Sequence, residues 1–202
     1  MLKFNRLILA LAFIGGSAVA QASEGSSTFA GVTFGSTSDK FSKSNNLNRN
    51  LNSPNADGII GKDSTWGVRL GQQNLDNRYY ATYDNVSGSH NGLKMRQENL
   101  LGSYDVFMPI TATTKLFGGG TLGLTKLTQE SRGASRDTGM GYAAGVQAGV
   151  LQQVAQNASL ELGYRYLRSN ASTEVSPHNA AKVGSLKLDS SAQTYLAANY
   201  HF

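Results

Sequence analysis

Apolar and polar residues alternate with a period of two along most of the chain beyond residue 27. The last stretch shows the pattern most fully. Leu186, Leu188, Ser190, Ala192, Thr194, Leu196, Ala198, Tyr200 and Phe202 form a mainly apolar set, and Lys187, Asp189, Ser191, Gln193, Tyr195, Ala197, Asn199 and His201 a mainly polar one. A period of two predicts a strand, and this one is too long for an ordinary sheet. An apolar outside and a polar inside fit a tilted membrane-spanning strand, which needs about 9–11 residues.

The same grammar repeats upstream and predicts strands over 29–35, 65–73, 78–87, 95–108, 115–126, 138–153 and 158–168. The second sets Trp66, Val68 and Leu70 against Arg69. The third sets Tyr79, Ala81 and Tyr83 against Arg78, Tyr80, Thr82 and Asp84. The seventh exposes Leu160, Leu162, Tyr164 and Tyr166. Connections alternate between short turns (74–77, 109–114, 155–157) and longer segments (36–64, 88–94, 127–137, 169–184). The first of these, 36–64, is rich in Asn and Ser and cannot bury a core, so it reads as a large solvent loop. The fold class expected is all-β: an eight-stranded antiparallel up-and-down transmembrane β-barrel.

Outward positions are taken as even-numbered along the chain. The faces opposite the apolar ones carry Arg69, Arg78, Asp84, Asp105, Glu161, Arg165, Lys187 and Asp189, which are expected together inside. A soluble eight-stranded barrel would reverse this polarity and fill its interior with apolar side chains, so the pattern favours the membrane.

Composition adds a compartment. Lys3 and Arg6 precede an apolar run, Leu7 to Ile14, followed by small residues, which predicts a secretory signal peptide over 1–22 and a barrel over 23–202. No later segment is long and apolar enough for a transmembrane helix. The mean hydropathy of −0.30 does not oppose a barrel, whose inward residues dilute the average. The chain has no cysteine, hence no disulfide framework or thiolate metal site. Formal charge is +5, or +3 once Lys3 and Arg6 are removed. Neither a cofactor nor a nucleic-acid partner is expected.

Candidate chemistry is then limited. An eight-stranded barrel is just wide enough for side chains, and its inward charges of both signs must pair, so a plug is expected in place of a pore. The three histidines, His90, His178 and His201, have no acid evidently placed to orient them, and no metal-protease, P-loop or EF-hand spacing occurs. A lipid A-modifying enzyme is thus the weaker alternative, and an adhesin or serum-resistance barrel working through its first loop the stronger.

The informative residues are basic and sit at the outer rim: Lys94 and Arg96 on the fourth strand, Lys126 on the fifth and Arg168 on the seventh. The ten residues from Leu116 to Lys126 climb roughly 25 Å in a tilted strand, about the height of the apolar band. Lys126 then emerges where outer-leaflet headgroups begin, and there the lipid is lipopolysaccharide. Arg binds its phosphates bidentately and Lys as a point charge. Lys40, Lys43, Arg49, Lys62, Arg132, Arg136 and Lys182 add to this field. Asp39, Asp57, Asp63, Glu98, Glu130, Asp137 and Glu174 dilute it.

Several runs resemble the outer membrane protein H (OprH) family. They are KSNNLNRNLNSPN at 43–55, TWGVR at 65–69, RYYATY at 78–83, LLGSYD at 100–105, KLFGG at 115–119, TLGL at 121–124, GYRYLR at 163–168, NASTE at 170–174 and the final strand. The resemblance implies an integral barrel of the bacterial outer membrane with both mature termini periplasmic, partnered by outer-membrane lipid. It implies lipopolysaccharide binding that cross-bridges phosphates when divalent cations are scarce and lowers uptake of polycationic antibiotics. It assigns contact to Lys94 and Arg96 in LKMRQ (93–97) and to Lys126. Arg132 and Arg136 lie in a third loop that departs from the family pattern. Phe202, with Tyr200 before it, resembles the sorting signal read by the barrel-assembly machinery.

Overall fold

The computed structural model describes residues 26–43, 60–90, 93–131, 137–175 and 184–202. The expected leader over 1–22, most of the first loop, and Arg132, Arg136, His178 and Lys182 lie outside the described residues. The strands are β1 (Ser27–Lys43), β2 (Ile60–Gln73), β3 (Asn77–His90), β4 (Leu93–Pro109), β5 (Thr114–Ser131), β6 (Asp137–Ala155), β7 (Ala158–Ser169), β8 (Ser172–Val175) and β9 (Gly184–His201). Each long strand pairs antiparallel with its neighbour, and β1 pairs with β9, so eight staves close an all-β barrel. The four-residue β8 pairs with the upper part of β9. Among the described residues no helix is long and apolar enough to cross a membrane.

Closure can be followed residue by residue. One outward row runs Lys126, Glu98, Asn85, Trp66, Phe34, Leu196, Leu162, Val150 and back to β5 at Leu116, ten positions below its start. That stagger sets the tilt of the staves. The apolar outside is as the alternation requires: Phe34, Trp66, Leu100, Tyr104, Leu122, Val146, Leu162 and Leu196 are all exposed.

Polar side chains fill the middle of the barrel. Glu161 on β7 accepts from Arg69 (2.6 and 3.0 Å), from Arg78 (2.7 and 3.1 Å) and from the Tyr195 hydroxyl (3.0 Å). Arg78 Nε also donates to Asp105 at 2.8 Å, and Arg165 donates to Asp84 at 2.7 Å and to Gln147 at 2.9 Å. These three arginines and three carboxylates are buried, which is tolerable only because each is paired. Aromatic faces line the guanidinium groups: Arg78 lies 4.6 Å from the Phe117 ring centroid and Arg165 5.4 Å from that of Tyr195. Glycine makes the room. A Cβ at Gly163 would sit 2.3 Å from the Tyr195 ring, and one at Gly149 2.5 Å from that of Phe117.

Four expectations need correction. The outward face of β3 is odd, not even: Tyr79 and Ala81 are exposed while Arg78, Tyr80, Thr82 and Asp84 are buried. Val68 faces Tyr83 and Tyr83 faces Leu100, so odd positions of β3 meet even ones on both sides. Lys187 and Asp189 do not join the interior. Pairing with β1 skips between Lys40↔Ser190 and Phe41↔Leu188. Such a bulge turns every residue beyond it to the other face. Lys187 is therefore exposed, and Leu188 is buried against Phe41, Leu127 and Ala171. Asp189 accepts a hydrogen bond from the exposed Ser42. The first loop is shorter than 36–64, because β1 continues to Lys43 and β2 starts at Ile60. The 88–94 connection narrows likewise, since His90 already pairs with Leu93.

Candidate functional site

Three strands assemble the rim cluster on the outer wall. Lys126 of β5 lies opposite Glu98 of β4, and Glu98 lies opposite Asn85 of β3. Two positions toward the loop end, Arg96 points out from the same face as Glu98. Register therefore does what sequence distance hides: it sets an acid among the cations. Arg96 Nη2 is 3.3 Å from Glu98 and Lys126 Nζ is 3.5 Å from it. The Tyr83 hydroxyl donates to Glu98 at 2.8 Å. With its amide oxygen turned to Arg96, Asn85 accepts from Nε at 3.0 Å and Nη2 at 3.1 Å.

The cations keep their outer sides free. The Arg96 and Lys126 side chains are 54% and 45% exposed and that of Glu98 22%. Partial burial works to raise the Glu98 carboxyl, but the Tyr83 hydrogen bond and the Arg96 and Lys126 charges prevail and hold it below the usual carboxylate range. It is thus ionised at neutral pH, and the trio carries one net positive charge. Tyr83, Trp66, Leu100 and Leu124 form the apolar edge beneath it.

Of the expected contacts, Arg96 and Lys126 come together here. Lys94 belongs to the same strand and pairs with Ser89 through its backbone. Arg168 is exposed on β7, away from this cluster. The sequence reading missed the roles of Glu98, Tyr83 and Asn85. The available signal was Glu98 two positions from Arg96 on one strand face. At the opposite end, His201 lies between Ser27 (3.3 Å) and Ser159 (3.0 Å) with no carboxylate in that set. Among the described residues no group of three His, Cys, Asp or Glu could hold a metal ion.

Neither a protein-family model nor a curated protein matches the chain. Solved structures do. Outer membrane protein H (OprH) of P. aeruginosa is 59% identical, with 87% of this chain and 99% of that chain covered and a TM-score of 0.56. The chain belongs to the OprH family. Neisserial surface protein A superposes at a TM-score of 0.66 with 16% identity (88% and 99% covered), and AlkL at 0.55 with 11% (92% and 94% covered). These two share the eight-stave fold. As an OprH-family member the chain is an integral, non-enzymatic outer-membrane barrel whose apolar outer wall faces membrane lipid.

Proposed function

We propose that the barrel binds lipopolysaccharide through its rim cations and thereby stabilises the outer membrane when divalent cations are scarce, lowering uptake of polycationic antibiotics. The observation that supports this reading is the placement of exposed Arg96 and Lys126 directly above an apolar wall. Phosphate at that depth meets one guanidinium and one ammonium, half exposed and able to form charge-assisted bonds that salt weakens. Lys94 extends the group along β4. In this orientation the loops are external, both mature termini are periplasmic, and Phe202 is presented to the barrel-assembly machinery after removal of the leader.

The paired arginines and carboxylates of the lumen support a lipid-binding role over a narrow pore, because a passing ion would have to separate them. The deciding experiment titrates purified wild-type barrel and the Lys94→Ala/Arg96→Ala/Lys126→Ala variant with lipopolysaccharide at low and high magnesium. The variant should bind several-fold more weakly, and magnesium or salt should compete with the wild type. Equal affinity for both proteins, unchanged by ionic strength, would show the reading to be wrong.

A further inference from the structure

The apolar outer wall is not evenly filled. Most of its outward positions carry large side chains, but those of β3, β4 and β5 include Ala81, Gly102 and Gly120. Ala81 pairs with Leu70 on one side and Gly102 on the other, Gly102 with Leu122, and Tyr104 with both Tyr79 and Gly120. Leu70, Leu122 and the two tyrosines thus wall a hollow whose floor has almost no side chain. The hollow is a groove of about 640 Å3 on the membrane side, running down to Gln72, Thr28 and Phe202. Tyr80 and Ser103 also line it although both side chains are buried inside, so the groove reaches the main chain of the staves.

Nothing inside the barrel requires these two glycines. A Cβ at Gly149 or Gly163 would collide with an aromatic ring, whereas one at Gly102 would meet its nearest neighbour at 3.8 Å and one at Gly120 at 3.9 Å. Glycine within a strand loses packing and costs more entropy on folding. Where the fold does not need it, it marks a place that a ligand or another backbone approaches closely.

Depth and shape choose the occupant. Leu122, at the top of the groove, lies six residues above Leu116 and four below Lys126 on β5, and Gln72, at its foot, adjoins the 74–77 turn. In the orientation proposed above, the groove lies in the periplasmic half of the apolar band, where the lipid is inner-leaflet phospholipid. A second copy of the barrel does not fill it, because a two-fold contact sets the same patch on itself, hollow against hollow. A pliable acyl chain does fill it, and the volume is within the roughly 300–1,000 Å3 of small-molecule sites. Apolarity alone gains nothing in a bilayer, whose tails are as apolar as leucine. The gain is contact, since an unfilled groove leaves its lining without partner atoms. The foot supplies a polar handle: the Tyr79 hydroxyl donates to Gln72 Oε1, and the Gln72 amide nitrogen is left as a donor toward lipid oxygens. No side chain that lines the groove is charged.

We propose that this groove binds one glycerophospholipid of the inner leaflet, with an acyl chain over Gly102 and Gly120 and the ester and phosphate oxygens beside Gln72 and Tyr79. The site rests on the proposed orientation of the barrel and is independent of the rim cations.

For the test, folded barrel is reconstituted in phosphatidylethanolamine vesicles, released into non-ionic detergent and weighed by native mass spectrometry. Wild type should retain one phospholipid per barrel. Gly102→Leu/Gly120→Leu, which fills the groove, should lower that occupancy by about tenfold or more. Gly118→Leu should keep it, because Gly118 lies outside the groove and a Cβ there meets nothing within 4 Å. Lipopolysaccharide affinity should be the same in all three proteins. A second measurement leaves the chain unaltered: phosphatidylethanolamine with a photoreactive acyl chain should label Tyr79, Ala81, Tyr104 and Leu122 in preference to exposed Leu160 and Leu196 of the far wall. Even labelling around the wall overturns the site, as does a double-leucine variant that retains as much phospholipid as wild type. A mass of two chains that the leucines abolish assigns the groove to a second copy, and a loss of lipopolysaccharide affinity with the leucines assigns it to that lipid. Either result overturns the proposal.

Discussion

Arg96 holds its guanidinium 3.3 Å from the Glu98 carboxylate on the outer wall of β4, and that acid also faces Lys126. Glu98 thus competes with any phosphate for both cations. Replacing it by Gln removes the competing charge and keeps an acceptor for the Tyr83 hydroxyl. Glu98→Gln should tighten lipopolysaccharide binding several-fold, read by calorimetry at low salt, and the gain should fade as salt is added. Because its neighbours hold the Glu98 carboxyl low, the wild-type affinity should show no step from this group between pH 6 and 8.

Glu161 is the shared partner of Arg69 and Arg78 inside the barrel. Glu161→Gln leaves two buried guanidinium groups short of charge, a loss of about 3–5 kcal/mol for breaking one side of a buried pair. Denaturant unfolding in micelles should show this drop. Replacing Arg69 and Glu161 together with methionine should recover part of it, since no isolated charge then remains at that pair.

Alternation alone was enough to place Arg69, Arg78, Asp84, Asp105, Glu161 and Arg165 inside, because a period of two leaves no freedom within an unbroken strand. It failed where parity changes between or within strands. The face of β3 depends on its register with β2 and β4, and that of Lys187 on one bulge. The first loop was over-long for a different reason. Beyond the apolar wall both faces of a strand are polar, so Ser36 to Lys43 reads like a loop although Thr37, Asp39 and Phe41 are buried within β1. Arg96 and Lys126 could be read as rim residues from the Leu116–Lys126 spacing. Glu98 between them could not, because its opposition to Lys126 is a cross-strand register fixed only by the folded sheet.

Asp39 sits buried at the loop end of β1, where burial and the charge of Asp63 push its carboxyl up to about 6 despite a hydrogen bond from Ser191. One of its oxygens has no hydrogen-bond partner. Between its unfolded value near 3.8 and its folded value the native state binds the extra proton, so stability falls as pH rises through that window and is level above it. The cost at neutral pH is about 2–3 kcal/mol. Asp39→Asn should therefore be more stable than wild type at pH 7–8, with the difference closing below pH 4. Unfolding curves across pH 4 to 8 measure it, and parallel curves for both proteins would contradict the assignment.

Leu188 and Lys187 provide the sharpest check on the bulge. Strict alternation back from Phe202 would put Leu188 against lipid and Lys187 in the lumen. In the fold, Leu188 is fully buried with Phe41, Leu127 and Ala171 while Lys187 is exposed. Truncating a buried leucine costs about 2–5 kcal/mol, whereas trimming an exposed lysine usually changes stability by less than about 0.5 kcal/mol. Leu188→Ala should accordingly lower the unfolding midpoint markedly and Lys187→Ala should leave it in place. The reverse ranking would mean that β9 runs unbulged to its upper end, which would also return Lys187 to the interior.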